Sequence, residues 1–355
     1  MTLIWMVLLG AASVSAIPVL NTTVKTQTVC ESVPEFVLRN APIIYLEASE
    51  KHFPGDPADF LAHIKPLDPS NNPIPGPTPI TLPTLPQYPS NTFLTSQDNV
   101  ETDPAWLTNP TAKPTNLISS APSTLITVSK PNGITDAFWF LFYPFNHGPK
   151  VLGRHYGDHV GDWEHVLVRF EGDQPRFVYF SAHDGGKGLD YAATDKHSTG
   201  RPISYTARGS HANYPNNGDK GKHPYVLPFG LLADITSDAN TALQWDPTRL
   251  YRAYCMSEGR FTAVPGTNPP DVDWLAWPGT WGDKQYPRSD KRQYELFGQW
   301  HYVSGPSGPA FKNLGRNQIC ENESKCSVAT RNTFMTMDQA MTSMKNASFV
   351  VGGYE

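Results

Sequence analysis

Charge is scarce in this chain. Only 17% of its 355 residues are Asp, Glu, Lys or Arg, the net charge is −5, and no segment concentrates Lys and Arg. A surface that binds nucleic acid needs a basic stripe to neutralise phosphates, so no nucleic-acid partner is expected. Long apolar runs are missing too: none approaches the roughly 20 residues that span a bilayer as a helix. The motifs G-x-S-x-G and H-E-x-x-H and a phosphate-cradling Gly loop are absent, which removes sequence support for serine-hydrolase, zincin and P-loop chemistry. No CxxC pair or Cys/His zinc spacing occurs. Apolar residues make up a modest 39%. In their place stand 34 Pro, 27 Gly and 12% aromatics, the composition of an all-β, loop-rich globular chain.

The first sixteen residues, MTLIWMVLLGAASVSA, set an apolar core from Leu3 to Leu9 before small residues. Val14 and Ala16 occupy the positions a signal peptidase reads, which predicts a signal peptide over 1–16 and a single domain over 17–355. The end, SFVVGGYE, lacks the hydrophobic tail of a GPI signal. The expected route is the secretory pathway, to the exterior or the vacuole. Three sequons, at Asn21, Asn322 and Asn346, are candidate glycosylation sites on that route. Cys30, Cys255, Cys320 and Cys326 then predict two disulfides. Three connectivities are open; Cys320 and Cys326 are close enough in sequence to close a small loop, and Cys30 with Cys255 would then tie the N-terminus to the body.

Residues 36–47 read as a strand. Asp56 and Pro57 mark the start of a short helix that carries Phe60, Leu61 and Ile64 on one face. Nine prolines over 66–92 exclude helix and central strand and predict a surface loop or an arm across the body. From residue 123 onward, STLITVSK, ITDAFWFLFYPF, HVLVRFEG, QPRFVYFSAH and PISYTARGSH read as short strands, with EGDQP (171–175) as a hairpin connection. Their spacing suits an antiparallel β-sandwich with peripheral short helices. One or two helices are expected over 227–245, a strand over RLYRAYCM, and a Met-rich helix over 333–345. The tryptophans of 274–300 are expected to pad a core short of aliphatics.

One strand carries the chemistry. In DWEHVLVRF, period-two alternation puts Asp162, Glu164, Val166, Val168 and Phe170 on one face, and His165, Leu167 and Arg169 on the other. Two neighbouring carboxylates at the edge of a core raise one pKa or require a cation between them. His159 lies three residues earlier and can add a nitrogen ligand. His183 and His211 each follow a strand and extend the same rim. Asp158 receives no role. Oxygen and imidazole donors suit a divalent cation, with Mg, Ca, Mn and Zn all open. Two alternatives stay open: pairing of the acids with Arg154, Arg169 or Arg208, and general acid/base catalysis by carboxylates.

The motifs AFWFLFYPFNHG, GDHVGDWEHVLVRF, FVYFSAHDGG and ARGSHANYP, in that order, resemble the fungal and plant vacuolar protein sorting-associated protein 62 family, across roughly residues 30–225. HVGDWE, Ser181-Ala182-His183 and Gly209-Ser210-His211 are more distantly similar to the necrosis-inducing proteins, whose heptapeptide has the form GHRHDWE. That resemblance implies a jelly-roll β-sandwich with a divalent cation in a rim cavity and a sugar or lipid head group as ligand. Carried over by motif, the metal ligands would be His159, Asp162, Glu164 and His211, with His183 supporting. The heptapeptide's Arg and second His are Val160 and Gly161 here, and no acid stands near Asn146 or His147, where those toxins place one. The first expectation is therefore a metal-dependent binding module. A metal-dependent hydrolase of phosphoesters or glycosides comes second, and a trafficking factor acting through protein partners third.

Overall fold

The structure, a computed structural model, describes residues 30–183, 185–218, 220–225, 232–326 and 328–329. The expected signal peptide, Asn21, Asn346 and the Met-rich helix lie outside the described residues. Two sheets carry the architecture. In chain order their strands are β1 (Ile43–Leu46), β2 (Ser123–Lys130), β3 (Ile134–Asn146), β4 (His159–Glu171), β5 (Gln174–Ala182), β6 (Gly185–Asp190), β7 (Ile203–Thr206), β8 (Asn213–Tyr214), β9 (Leu243–Trp245), β10 (Tyr251–Ser257), β11 (Arg260–Ala263) and β12 (Val328–Ala329). The larger sheet runs β11-β10-β2-β3-β4-β5-β6-β12, the smaller β8-β7-β1-β9. Most pairs are antiparallel; β2 with β10, β6 with β12 and β1 with β7 are parallel.

The larger sheet is apolar on both faces, because β3 and β4 alternate large side chains in both directions. One face, with Trp139, Leu141, Val166, Val168 and Phe170, packs against Ile44 and Leu46 of β1 and Trp245 of β9, which makes a β-sandwich. The other face, with Phe138, Phe140, Phe142, Trp163 and Leu167, is covered by irregular chain. Leu82, Leu85 and Tyr88 of the Pro-rich stretch are buried there, as are Trp274, Trp277 and Trp281. The Pro-rich arm is thus a core-forming cover as well as a surface segment, and those three tryptophans are core padding, whereas Trp300 stays half-buried beside the Arg288 guanidinium. The EGDQP hairpin forms as expected, with Glu171 opposite Gln174.

Several local expectations are corrected. Residues 35–39 form a short helix, Glu35–Arg39, rather than the start of a strand. Pro34 occupies the N-cap and Glu35 favours the positive helix N-terminus, while Pro42 keeps the strand to Ile43–Leu46. No helix occupies the described part of 227–245; Leu232–Ile235 and Leu243–Trp245 are strands. Asp56 caps Pro57–Phe60 as expected, accepting from the Ala58 amide at 2.8 Å. Both disulfides are present, Cys30–Cys255 and Cys320–Cys326. Asn322 is exposed. No helix among the described residues is long and apolar enough to cross a membrane.

Two features fix the cover to the sheet. Asp136, fully buried on β3, receives both arms of the Arg169 guanidinium at 2.6 and 2.7 Å and also pairs with Lys130. Arg169 further donates to the carbonyls of Arg316, Asn317 and Gln318, so the segment that follows Lys312 is tied to β4. The second feature is a backbone approach. Gly161 has φ +67°, and a Cβ there would lie 2.1 Å from the Trp281 carbonyl oxygen. Gly282 mirrors it: a Cβ there would lie 1.9 Å from the Val160 carbonyl oxygen. Gly161→Ala should therefore cost about 2–4 kcal/mol, from the left-handed backbone and the collision together. Urea unfolding measures this, and an unchanged midpoint would refute the contact.

Candidate functional site

The alternation predicted for β4 places Asp162 and Glu164 opposite Tyr143 and Leu141 of β3, on the face turned toward the smaller sheet. Both carboxylates are buried, 6% and 5% exposed, at the end of the row Val166, Val168, Phe170. Neither pairs with an arginine. Arg169 is committed to Asp136, Arg208 donates to the Ser49 hydroxyl, and Arg154 lies over the Tyr294 ring.

Asp162 is held by histidines. His211 Nδ1 lies 3.0 Å from its Oδ2, and His159 Nε2 lies 3.7 Å from its Oδ1. Burial pushes the Asp162 carboxyl up, but the two imidazoles outweigh burial and hold it well below the ordinary range. Glu164 behaves oppositely. Burial and the neighbouring Asp162 charge push it up to about 8, against weaker lowering by Lys312 and the Ser181 hydroxyl, which donates to Oε2. At neutral pH the pair carries one negative charge and one proton.

His159 turns its Nδ1 to the Gly157 carbonyl at 2.9 Å, leaving Nε2 toward Asp162. His211 is fully buried with both nitrogens engaged: Nδ1 on Asp162, Nε2 on the His52 carbonyl at 3.1 Å. Its ring stacks on Tyr143 with centroids 3.7 Å apart, and its φ of +55° places it in the tight turn between β7 and β8. His211 therefore braces Asp162 from behind. His183, also left-handed, bonds Asp234 at 2.7 Å. Burial alone would lower His183; the Asp234 carboxylate raises it above the ordinary imidazole value.

One cavity of about 470 Å³ is lined by His159, Asp162, Glu164 and His183, and by Lys312 and Glu321 from the segment that covers the sheet. Four of the five predicted residues thus share a cavity, and His211 stands behind its wall. Sequence reasoning missed Asp234, Lys312 and Glu321. No local pattern marks the last two, which reach the cavity through the Arg169-anchored segment.

Asp158 also gains a role. It is buried and accepts from the Gly148 amide at 2.9 Å, with His147 Nδ1 at 2.9 Å and His301 Nε2 at 3.6 Å. Burial raises its carboxyl, but the two imidazoles bring it down to about 2. His155 stacks on His147 with centroids 3.8 Å apart. Ligand atoms of His147, His155 and Asp158 all lie within 4.8 Å of one another. His147 and His155 line a second, larger cavity of about 710 Å³.

Comparison with known proteins adds the following. Residues 108–288 match the sequence profile of the family described as vacuolar protein sorting-associated protein 62. In Saccharomyces cerevisiae, vacuolar protein sorting-associated protein TDA6 is 36% identical over 327 residues, covering 81% of this chain and 68% of that protein. Vacuolar protein sorting-associated protein 62 from the same yeast is 35% identical over 323 residues, covering 82% and 68%. Among solved structures, necrosis and ethylene inducing protein 2 from the causal agent of cocoa's witches broom disease aligns at 17% identity and TM-score 0.28, over 54% of this chain and 73% of that one. NLPPya in complex with glucosamine aligns at 14% and 0.27, over 52% and 66%.

The Glu164 carboxyl sets a pH dependence. Folded, it keeps its proton up to about pH 8; its ordinary value is 4.5. The unfolded state binds fewer protons across that window, so this residue makes stability fall as pH rises through it. The depressed Asp162 carboxyl acts in the other direction, its contribution being lost as pH falls below 3.8. Thermal midpoints in chelator should therefore drop less between pH 5 and 8 for Glu164→Gln than for the wild type. Parallel pH profiles for the two proteins would contradict the assigned protonation.

Proposed function

The chain belongs to the vacuolar protein sorting-associated protein 62 family, and from that premise we propose that it acts in the secretory pathway, toward the vacuole, as a binding module whose acidic cavity holds a divalent cation against a sugar or lipid head group. The vacuolar destination rests on what its yeast relatives are named for. The observation that carries the cavity reading is the Asp162–Glu164 pair, two carboxylates buried two residues apart on one face of β4, where burial and the Asp162 charge raise the Glu164 carboxyl. A dication would replace the Glu164 proton and let both ionise.

The donor types suit such an ion, since two carboxylates and the His159 imidazole line one cavity. A bound cation supplies positive charge to which head-group hydroxyls coordinate. The chain's own residues do the rest. His211 and Tyr143 fix Asp162, Ser181 fixes Glu164, and Asp234 orients His183. Ser304, Ser307 and Asn146 offer polar groups around the opening. The same cavity supports a second reading, a metal-dependent hydrolase of phosphoesters or glycosides, in which the cation would polarise the reacting oxygen or activate a water held by Glu164.

Metal analysis after loading with Mg, Ca, Mn or Zn should find about one ion per chain, lost in Asp162→Asn combined with Glu164→Gln. A folded wild type that retains none of the four ions sinks the proposal. Turnover of a phosphoester and glycoside panel by the loaded protein would move the reading from binder to hydrolase.

A further inference from the structure

Among the described residues, the two most exposed large apolar side chains are Leu152, 83% exposed, and Phe297, 74% exposed. Both sit at the tips of short hairpins built alike. Leu152 and Gly153 join Lys150–Val151 to Arg154–His155; Phe297 and Gly298 join Glu295–Leu296 to Gln299–Trp300. Both residues of each turn have positive φ, 50° and 85° in the first, 50° and 80° in the second. This two-residue turn favours Asn, Asp or Gly at its first position. A large apolar side chain there carries a backbone cost and stands in water, so folding does not account for it.

The hairpins rise from a common base. Val151, Tyr156 and Leu232 form a small cluster, and Tyr294 and Leu296 pack against it. The Arg154 guanidinium lies 4.9 Å from the Tyr294 ring centre, and the Tyr294 hydroxyl donates to the His155 carbonyl at 3.0 Å. The first hairpin also walls the larger cavity. Lys51, Lys150, Arg208 and Lys222 line that cavity from separate segments. Its lining acid, Glu50, already accepts from the backbone amides of Lys51, His52 and Gly209 at 2.8, 2.7 and 2.6 Å. Four cations gathered in one cavity contrast with a chain whose net charge is −5.

We infer that this end of the molecule docks on a bilayer, with Leu152 and Phe297 entering the acyl boundary and the basic cavity holding a phosphorylated lipid head group. Apolar tips and cations at head-group depth are complementary: the tips leave water, and the cations meet anionic phosphate at the same level. Each alone binds weakly, and together they give attachment without a membrane-crossing segment. The inference does not depend on the acidic cavity.

Cosedimentation of the full chain with vesicles tests it. Phosphatidylcholine vesicles containing a phosphatidylinositol monophosphate should bind at least about tenfold more protein than phosphatidylcholine alone, and salt should weaken the binding. Leu152→Ser with Phe297→Ser, and separately Lys150→Glu with Arg208→Glu, should each lower binding about tenfold or more at unchanged thermal midpoint. Equal binding to both vesicle types, or tip variants that bind like the wild type, would overturn the inference. Titration with soluble inositol phosphate completes the test. Binding of that ligand without any binding to vesicles would assign the cavity to a free phosphorylated compound and overturn the bilayer.

Discussion

Period-two alternation on a strand buried on both faces is the constraint behind the site. Once Val166, Val168 and Phe170 face the smaller sheet, Asp162 and Glu164 must continue the same row into low-dielectric surroundings. Everything near them answers that placement. Imidazoles stabilise one carboxylate, a proton neutralises the other, and a stacked tyrosine holds the buried histidine behind the pair. The arrangement is costly in solvation and can persist only because the thirteen-residue strands around it are deeply packed.

The two faces of the large sheet are closed by different means. A regular four-stranded sheet covers one. The other is covered by proline-rich and tryptophan-rich chain that forms few hydrogen-bonded ladders and depends on aromatic volume. That irregular layer is also what delivers Lys312 and Glu321 to the cavity, through carbonyls gripped by Arg169. A buried ion pair of this kind adds little net stability but gives a loop a defined position.

Much of this was legible in the sequence where the pattern was local. The strands between 123 and 182 announce themselves by runs of β-branched and aromatic residues. The two acids, His159 and His183 were placed on one rim by alternation and by strand endings. What failed was short or distant. Leu232–Ile235 and Leu243–Trp245 are too brief to show a period, and the apolar EFVLR segment looks like a strand until Pro34 and Pro42 are weighed. His211 follows a strand as expected, yet its left-handed turn buries both its nitrogens. Asp158 had no visible partner, because His147 reaches it across the hairpin of 150–155 and His301 from a segment more than 140 residues away.

The mutual approach of Gly161 and Gly282 carries a consequence for divergence within this architecture. Each glycine leaves room for the other segment's carbonyl, so neither position can accept a side chain while the other segment stays in place. A side chain at 161 and the Trp281–Gly282 cover are therefore mutually exclusive: either glycine can be replaced only together with a shift of the facing segment, so the two positions are expected to be kept together or lost together.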